Sequence, residues 1–368
     1  MAGSTWGTIL KMTTWGESHG KGIGVVVDGC PAGLPLEPED IQIYLDRRKP
    51  GQSAFTTQRK EADHVEILSG VFEGKTTGTP ISMVVWNQDQ RSHDYSNLMD
   101  LYRPGHADYT FDEKYGFRDY RGGGRSSGRE TIARVAAGAI AAKLLESLGI
   151  RVTAYTQSIG EIEIEESRFD LEEISRNRLC MPDARAAKVA EAYLKMIMEK
   201  KDSAGGVIAC QVTGLPVGIG EPVFDKLDAS LAKAIMSMGA VKGVEIGDGF
   251  QAAKACGSVN NDSFCIGADG HSVEKRTNHS GGVLGGMSDG STLILRAAVK
   301  PTPSIASSQQ TVTRSGEETE AVIKGRHDPI IVPRAVVVVE MMTAFTVADL
   351  LLQNMSARLD KVQKFYQS

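Results

Sequence analysis

Two stretches far apart in the chain carry one layout. Gly70-Val71-Phe72-Glu73-Gly74, followed by Gly78-Thr79-Pro80-Ile81, aligns without gaps against Gly282-Val283-Leu284-Gly285-Gly286, followed by Gly290-Ser291-Thr292-Leu293. Upstream of each, a strand-like run leads into a Gly-Leu-Pro triplet and then a helical pattern. The first case is 25–28 with Gly33-Leu34-Pro35, the second 207–213 with Gly214-Leu215-Pro216. Two features repeated in order imply two halves of similar layout, about 1–150 and 200–345, in a single domain. Strand-like runs at 24–28, 65–72, 81–86, 152–156, 207–213, 292–299 and 335–339 are short and bounded by turn residues, which predicts mostly antiparallel sheet. Helical spacing marks 39–48, 129–148, 184–200, 227–238 and a C-terminal helix 343–365. The expected class is α+β: two mostly antiparallel sheets with helices packed between or against them.

Charge and composition narrow the function. With 46 acidic and 41 basic residues the chain carries a formal charge of −5, which argues against a nucleic-acid partner. Hydrophobic content of 41 % is that of a globular protein, not of a disordered chain. Uninterrupted apolar runs fall well short of the roughly 20 residues a bilayer demands, so no membrane segment is expected. No basic stretch followed by an apolar run opens the chain, so no secretory signal is expected. Five cysteines, an odd number without any C-x-x-C pair, predict neither a disulfide framework nor structural zinc. The expected compartment is the reducing cytoplasm. Metal ligation is disfavoured because no H-E-x-x-H or similar spacing occurs.

The sharpest chemical signal is Arg121-Gly122-Gly123-Gly124-Arg125-Ser126-Ser127-Gly128-Arg129-Glu130. Apolar residues at Ile132, Val135, Ala136, Ala139 and Ile140 then follow helical spacing. Ser127 and Glu130 fit a capping box, which starts the helix near Ser127. Unpaired N–H groups and the positive dipole end, with Arg125, Ser126 and Arg129 beside them, predict a phosphate or carboxylate site. A second basic cluster, Asp46-Arg47-Arg48-Lys49-Pro50, ends a helix; its three successive cations cannot point one way, so one serves a ligand or interface. Histidines stand in three polar turns: Gly16-Glu17-Ser18-His19-Gly20, Arg103-Pro104-Gly105-His106-Ala107-Asp108 and Gly325-Arg326-His327-Asp328-Pro329. An imidazole can donate a proton near neutral pH, and Arg103 beside His106 suits an anion clamp next to a proton donor. The first turn also matches the G-x-S-x-G elbow of serine hydrolases, but an elbow needs a following helix and a strand pattern follows instead. Without a Walker A or G-x-G-x-x-G sequence, P-loop and Rossmann readings are poor. The residues describe a pocket for a small, strongly anionic ligand with proton transfer.

Thr14-Trp15-Gly16-Glu17-Ser18-His19-Gly20, residues 103–108, residues 120–130 and residues 325–328 resemble the signature segments of the chorismate synthase family, and the similarity runs from residue 5 to about 350. The resemblance implies a β-α-β sandwich assembled as a homotetramer. It implies conversion of 5-enolpyruvylshikimate 3-phosphate to chorismate and phosphate by 1,4-elimination, the last step of the shikimate pathway. Reduced FMN would be required without net redox change, NADPH would enter only as a reductant, and an external flavin reductase is a candidate partner. By the same resemblance His106 protonates the departing phosphate, His19 lies near the flavin, and Asp328 assists proton removal. Arg48, Arg103 and Arg129 match substrate-clamping arginines, whose forks suit carboxylates and phosphate. Arg125, Ser126, Ser127, Gly239, Ala240, Gly285, Lys300, Pro301, Thr302, Pro303, Ser304 and Arg326 match FMN-contacting positions. Lys49 and Ala54 depart from arginines common in relatives, which removes a guanidinium linked to substrate or NADPH; Gly128 and Asp289 stand where relatives often carry alanine and asparagine. The rival readings are an ordinary flavin oxidoreductase, a hydrolase built on Ser18, and a phosphometabolite-binding protein without catalysis.

Overall fold

The computed structural model describes residues 3–49, 51, 62–88, 98–323 and 328–367. Its β structure centres on two five-stranded sheets, antiparallel throughout. In the first the strands run in the order Thr5–Trp6, Lys11–Gly16, Gly22–Asp28, Ile81–Trp86, Val65–Ile67. In the second the order is Val241–Ile246, Leu293–Val299, Gly206–Thr213, Arg151–Ile159, Ile162–Glu163. Strands alternate toward the core as period-two sequences must: Met12 and Thr14 are buried while Lys11 and Thr13 are exposed.

The two hairpins bond alike, but to 31–34 and 216–219, so the Gly-Leu-Pro triplets expected to correspond are four residues out of register. Thr76 Oγ1 accepts the Leu34 N–H (3.0 Å) and donates to the Pro31 carbonyl (2.7 Å). Ser288 Oγ accepts the Ile219 N–H (2.8 Å) and donates to the Pro216 carbonyl (2.5 Å). Each hydroxyl sits in a small hairpin just ahead of a central strand, Ile81–Trp86 in one sheet and Leu293–Val299 in the other.

Two apolar helices join the sheets. Thr131–Glu146 is buried on nearly every side, as a helix hydrophobic all round must be. It packs on the first sheet, on helix Pro38–Arg48 and on helix Val332–Gln353. The latter packs in turn on strands Arg151–Ile159 and Gly206–Thr213 of the second sheet. Where the two long helices cross, Gly138 faces Met341 so closely that a Cβ on the glycine would lie 2.3 Å from the Met341 Cβ. Two acids brace the later helix. Glu340 receives both ends of the Arg47 fork (2.6 and 3.0 Å) and the Ala154 N–H (2.9 Å). Asp349 receives three successive N–H groups, from Thr8, Ile9 and Leu10, at 2.8–2.9 Å.

This helix corrects the sequence reading. The strand expected at 335–339 is helical, and the helix expected at 343–365 instead ends at Gln353, turns through Asn354–Ser356 and resumes as Leu359–Gln367. Pro333 in the first turn fixes a helical φ, and burial on all sides overrides the β preference of the valines. Val332–Ser356 is apolar and long enough to cross a bilayer, but 89 % of its most apolar window is buried inside the protein. It is a core helix. The run expected at 65–72 divides into strands Val65–Ile67 and Val71–Phe72. All five cysteines are free, with Cys30 and Cys210 buried in the core.

Candidate active site

The turn after Tyr102 is built around one carboxylate. Gly105 adopts φ +67, a conformation that glycine takes without strain, and the chain enters helix Asp108–Tyr115. Asp108 thus stands at the helix start and folds back over its own turn. Oδ2 accepts from the Arg103 backbone N–H (3.1 Å) and Nε (2.7 Å), and Oδ1 accepts from Arg103 Nη2 (2.7 Å). His106 Nδ1 lies 2.9 Å from the same Oδ1. Burial alone would raise the Asp108 carboxyl; the hydrogen bonds from Arg103 and His106 outweigh it and hold the group well below the usual range. A carboxylate only accepts, so His106 carries a proton on Nδ1 and keeps Nε2 for a ligand.

His19 arrives at the same place from the other end of the sequence. The turn joining Lys11–Gly16 to Gly22–Asp28 holds Ser18 Oγ 3.1 Å from His19 Nδ1. No helix follows Gly20, which leaves the hydrolase elbow without its geometry. The His19 ring packs on Gly122 so tightly that a Cβ there would fall 2.7 Å from its Cε1. The Gly122 carbonyl accepts from Arg103 Nη2 at 2.9 Å. Arg103 therefore ties the His106–Asp108 pair to the loop that supports His19. Beside this junction a cavity of about 450 Å³ is lined by Glu17, His106, Asp108, Phe111, Phe117 and Gly122–Gly124, among others.

A second arginine group lies where three helices begin or end. Arg48, 2 % exposed, donates from Nε to Thr131 Oγ1 (2.9 Å), from Nη1 to Asp63 (2.9 Å) and from Nη2 to the Gly128 carbonyl (3.0 Å). Arg129 donates to the other oxygen of Asp63 (3.1 Å) and to Asn87 Oδ1 (2.9 Å). Arg334 reaches the Arg48 carbonyl (3.1 Å) and Asp328 Oδ2 (2.6 Å). Burial lowers the Arg48 guanidinium to about 9, with Asp63 opposing and Arg334 and Arg129 adding to the effect; it stays charged at neutral pH. Among the described residues, Asp63 and Asp328 are the carboxylates that these three arginines bond. The neighbours of Arg48 in sequence point elsewhere: Arg47 to Glu340 and Lys49 to Asp46.

The helix start at Ser127 differs from the expected one. A short 3₁₀ turn, Gly128–Glu130, precedes the α-helix, and Ser127 Oγ accepts only from the Arg129 N–H (3.3 Å). Glu130 turns to Arg134 Nε (2.8 Å) and Thr14 Oγ1 (3.3 Å) instead of closing a capping box. Arg125 lines the same cavity as His106 and donates to the Gly16 carbonyl (3.0 Å) and Thr14 Oγ1 (2.6 Å). Of the donors expected at the helix end, the Arg125 and Arg129 guanidiniums bond to protein acceptors, Gly16 and Thr14 for the first and Asp63 and Asn87 for the second.

Most of the remaining flagged positions connect. A Cβ on Gly239 would lie 3.9 Å from the Ser126 carbonyl. Ala240, at φ +73, accepts the Lys300 N–H (2.9 Å), and Lys300 Nζ reaches the Gly105 carbonyl (2.8 Å). Pro301 packs near Gly205, and Pro303 near Gly105. Thr302 Oγ1 donates to the Asp328 carbonyl (2.8 Å). Ser304, half-buried, continues that segment. Gly285 stays outside: its hairpin accepts the Leu227 N–H at the start of helix Leu227–Met236, whereas Gly239 follows that helix's other end, about 15 Å away for ten residues. Arg326 and Ala54 lie outside the described residues. The sequence reading gave Asp63, Asn87 and Arg334 no role; the partners of each are brought by other segments. Among the described residues no cluster of His, Cys, Asp and Glu could hold a metal.

Comparison with known proteins agrees with this arrangement of segments. A family model described as chorismate synthase matches residues 10–352. The chain is 69 % identical over 366 residues to the chorismate synthase of Agathobacter rectalis, covering 100 % of this chain and 99 % of that protein. It is 66 % identical over 366 residues to that of Lachnospira eligens, with 100 % of both covered. A crystal structure of chorismate synthase superposes with a TM-score of 0.76 at 32 % identity, covering 98 % of this chain and 97 % of the other. Signature segments and matched length together place the chain in the chorismate synthase family.

Proposed function

We propose that the junction of His19, His106 and the arginine groups performs the 1,4-elimination that converts 5-enolpyruvylshikimate 3-phosphate to chorismate. The bond from C3 to the phosphate oxygen breaks and the phosphate leaves with its electron pair. A hydrogen is lost from C6, and the ring gains one double bond. His106 is the proton donor to the departing phosphate: Asp108 and Arg103 fix its ring, and Nε2 is the nitrogen left for a phosphate oxygen. Arg48, Arg103 and Arg129 hold the two carboxylates and the phosphate. Asp328, steadied by Arg334 and linked through Thr302, is the acid that assists proton removal.

The residues fit reduced FMN. Ser126, Gly239, Ala240 and Lys300 are connected in space, and Lys300 reaches across to the His106 turn. Lys300, the hydroxyls of Ser126, Ser127 and Ser304, and the N–H groups of the glycine loop suit a phosphate monoester. Phe111, Phe117 and Gly122–Gly124 offer the flat, apolar walls that a ring system needs. When bound, reduced flavin supplies electron density to the allylic system transiently and recovers it. The same reading takes the two sheets and the helices between them as the family's sandwich of two similar halves, assembled as a cytoplasmic homotetramer. NADPH then serves only as reductant, directly or through a separate flavin reductase.

The observation that carries this reading is the meeting of His19 and His106 at Gly122 and Arg103, beside one cavity. The test is anaerobic turnover with chemically reduced FMN. Chorismate and phosphate should form in equal amounts with no net flavin oxidation. Stoichiometric flavin oxidation would make the protein an ordinary oxidoreductase, and binding without phosphate release would make it a carrier.

A further inference from the structure

Asp63 is the pivot of the deeper arginine group. Its side chain is fully buried, and its two oxygens are divided between guanidiniums from two different segments. Oδ2 takes Arg48 Nη1 at 2.9 Å, and Oδ1 takes Arg129 Nη2 at 3.1 Å. One arginine ends helix Pro38–Arg48, and the other opens the turn before Thr131–Glu146. The backbone of Asp63 sits at φ +48. A residue with a side chain adopts that region at a cost and persists there when its surroundings demand it, a pattern concentrated at functional sites. Two buried guanidiniums repel; a carboxylate between them removes the repulsion and fixes their spacing.

We propose that Asp63 is the positioning residue of the substrate clamp, setting Arg48 and Arg129 at a fixed separation so that both can meet a substrate oxyanion. The proposal rests on the function given above. Arg48 is held on its other edges by Thr131 and the Gly128 carbonyl, and Arg129 by Asn87. Each fork is therefore anchored on a further edge, and Asp63 links the two.

Titration calorimetry with 5-enolpyruvylshikimate 3-phosphate, in the presence of oxidised FMN so that substrate is not consumed, measures the effect. Asp63→Asn keeps the shape and removes the charge; affinity should fall about 100-fold, the scale of breaking a buried charge pair. Asp63→Glu keeps the charge but displaces it by one methylene, and should lose about tenfold, the discrimination one methylene commonly makes. In an Arg129→Lys background the added effect of Asp63→Asn should shrink to about tenfold or less, since one of the two forks it fixes is gone. Circular dichroism and thermal melting show which variants fold; if Asp63→Asn does not, the same comparison is made with Asp63→Glu. Binding within threefold of wild type in a folded Asp63→Asn protein overturns the proposal. So does an undiminished effect in the Arg129→Lys background, which marks a purely structural role. Failure of the wild-type protein to bind the substrate defeats the functional reading itself and is read separately.

Discussion

Gly138→Ala tests the crossing of the two central helices. A Cβ at this position would lie 2.3 Å from Met341 Cβ, 2.5 Å from the Met341 carbonyl oxygen and 2.7 Å from its carbon. Ordinary carbon contacts are about 3.5–4.0 Å, so the helices must part by more than about 1 Å. Rotamer change cannot relieve the clash, because two of the three atoms are backbone. Overpacking of this kind costs about 1–3 kcal/mol, and here it falls at the upper end because two layers move together. Alanine returns about 1 kcal/mol through helix propensity. The net expectation is a loss of about 2 kcal/mol, or a fall of several degrees in Tm for a domain of this size. Urea denaturation and calorimetric melting measure it. The helix also starts at Thr131, directly after the turn that carries Arg129, so substrate affinity should weaken alongside. A melting temperature equal to or above wild type would show that the helices are not in backbone contact, and the packing argument would fail.

His106→Ala should slow anaerobic phosphate release by about 10²–10⁴-fold, the usual worth of a general acid; unaltered turnover removes it from the mechanism. Asp108→Asn should cost about 100-fold or more in kcat through loss of the fixed imidazole orientation, and should lower the melting temperature at pH 7 because buried Arg103 loses its charge partner. Acid sensitivity follows from Asp108 too. Its folded-state carboxyl lies below its unfolded value of about 3.9, so its contribution is complete above that pH and is lost as pH falls through the folded value. Melting curves between about pH 5 and 2.5 should converge for wild type and Asp108→Asn, and parallel curves would refute the assignment. Asp349→Asn replaces an accepting oxygen with a donor facing three backbone N–H groups, and should destabilise by about 1–3 kcal/mol in the same melting experiment.

Local pattern made much of the scaffold legible. Strand Ile81–Trp86 and helix Ala184–Glu199 form where their residue patterns place them. The chief misreading, 335–339, is a run of valines with no period at all. Such a run suits a buried strand and a buried helix equally, and only the surrounding layers decide. At the site, the loops bearing His19 and His106 could be recognised because glycine, arginine and histidine together have little structural reason to share a turn. Asp63 could not. It is one acid among 46, and its importance arises from where two helices deliver their arginines. Arg125 lies in a legible glycine loop, but the Gly16 carbonyl and the Thr14 hydroxyl that it bonds come from a distant strand and could not be read there.

The helix Val332–Gln353 lies between both sheets, and through Asp349 it holds residues 8–10 at the start of the first one. A ribosome makes it after every strand of both sheets. Thr131–Glu146 can cover the first sheet early, but the second must wait, with the surface on Arg151–Ile159 and Gly206–Thr213 uncovered, until residues 332–353 have emerged. Neither half can complete its packing alone during synthesis, and truncation before this helix should leave nascent chains dependent on chaperones rather than a smaller working protein.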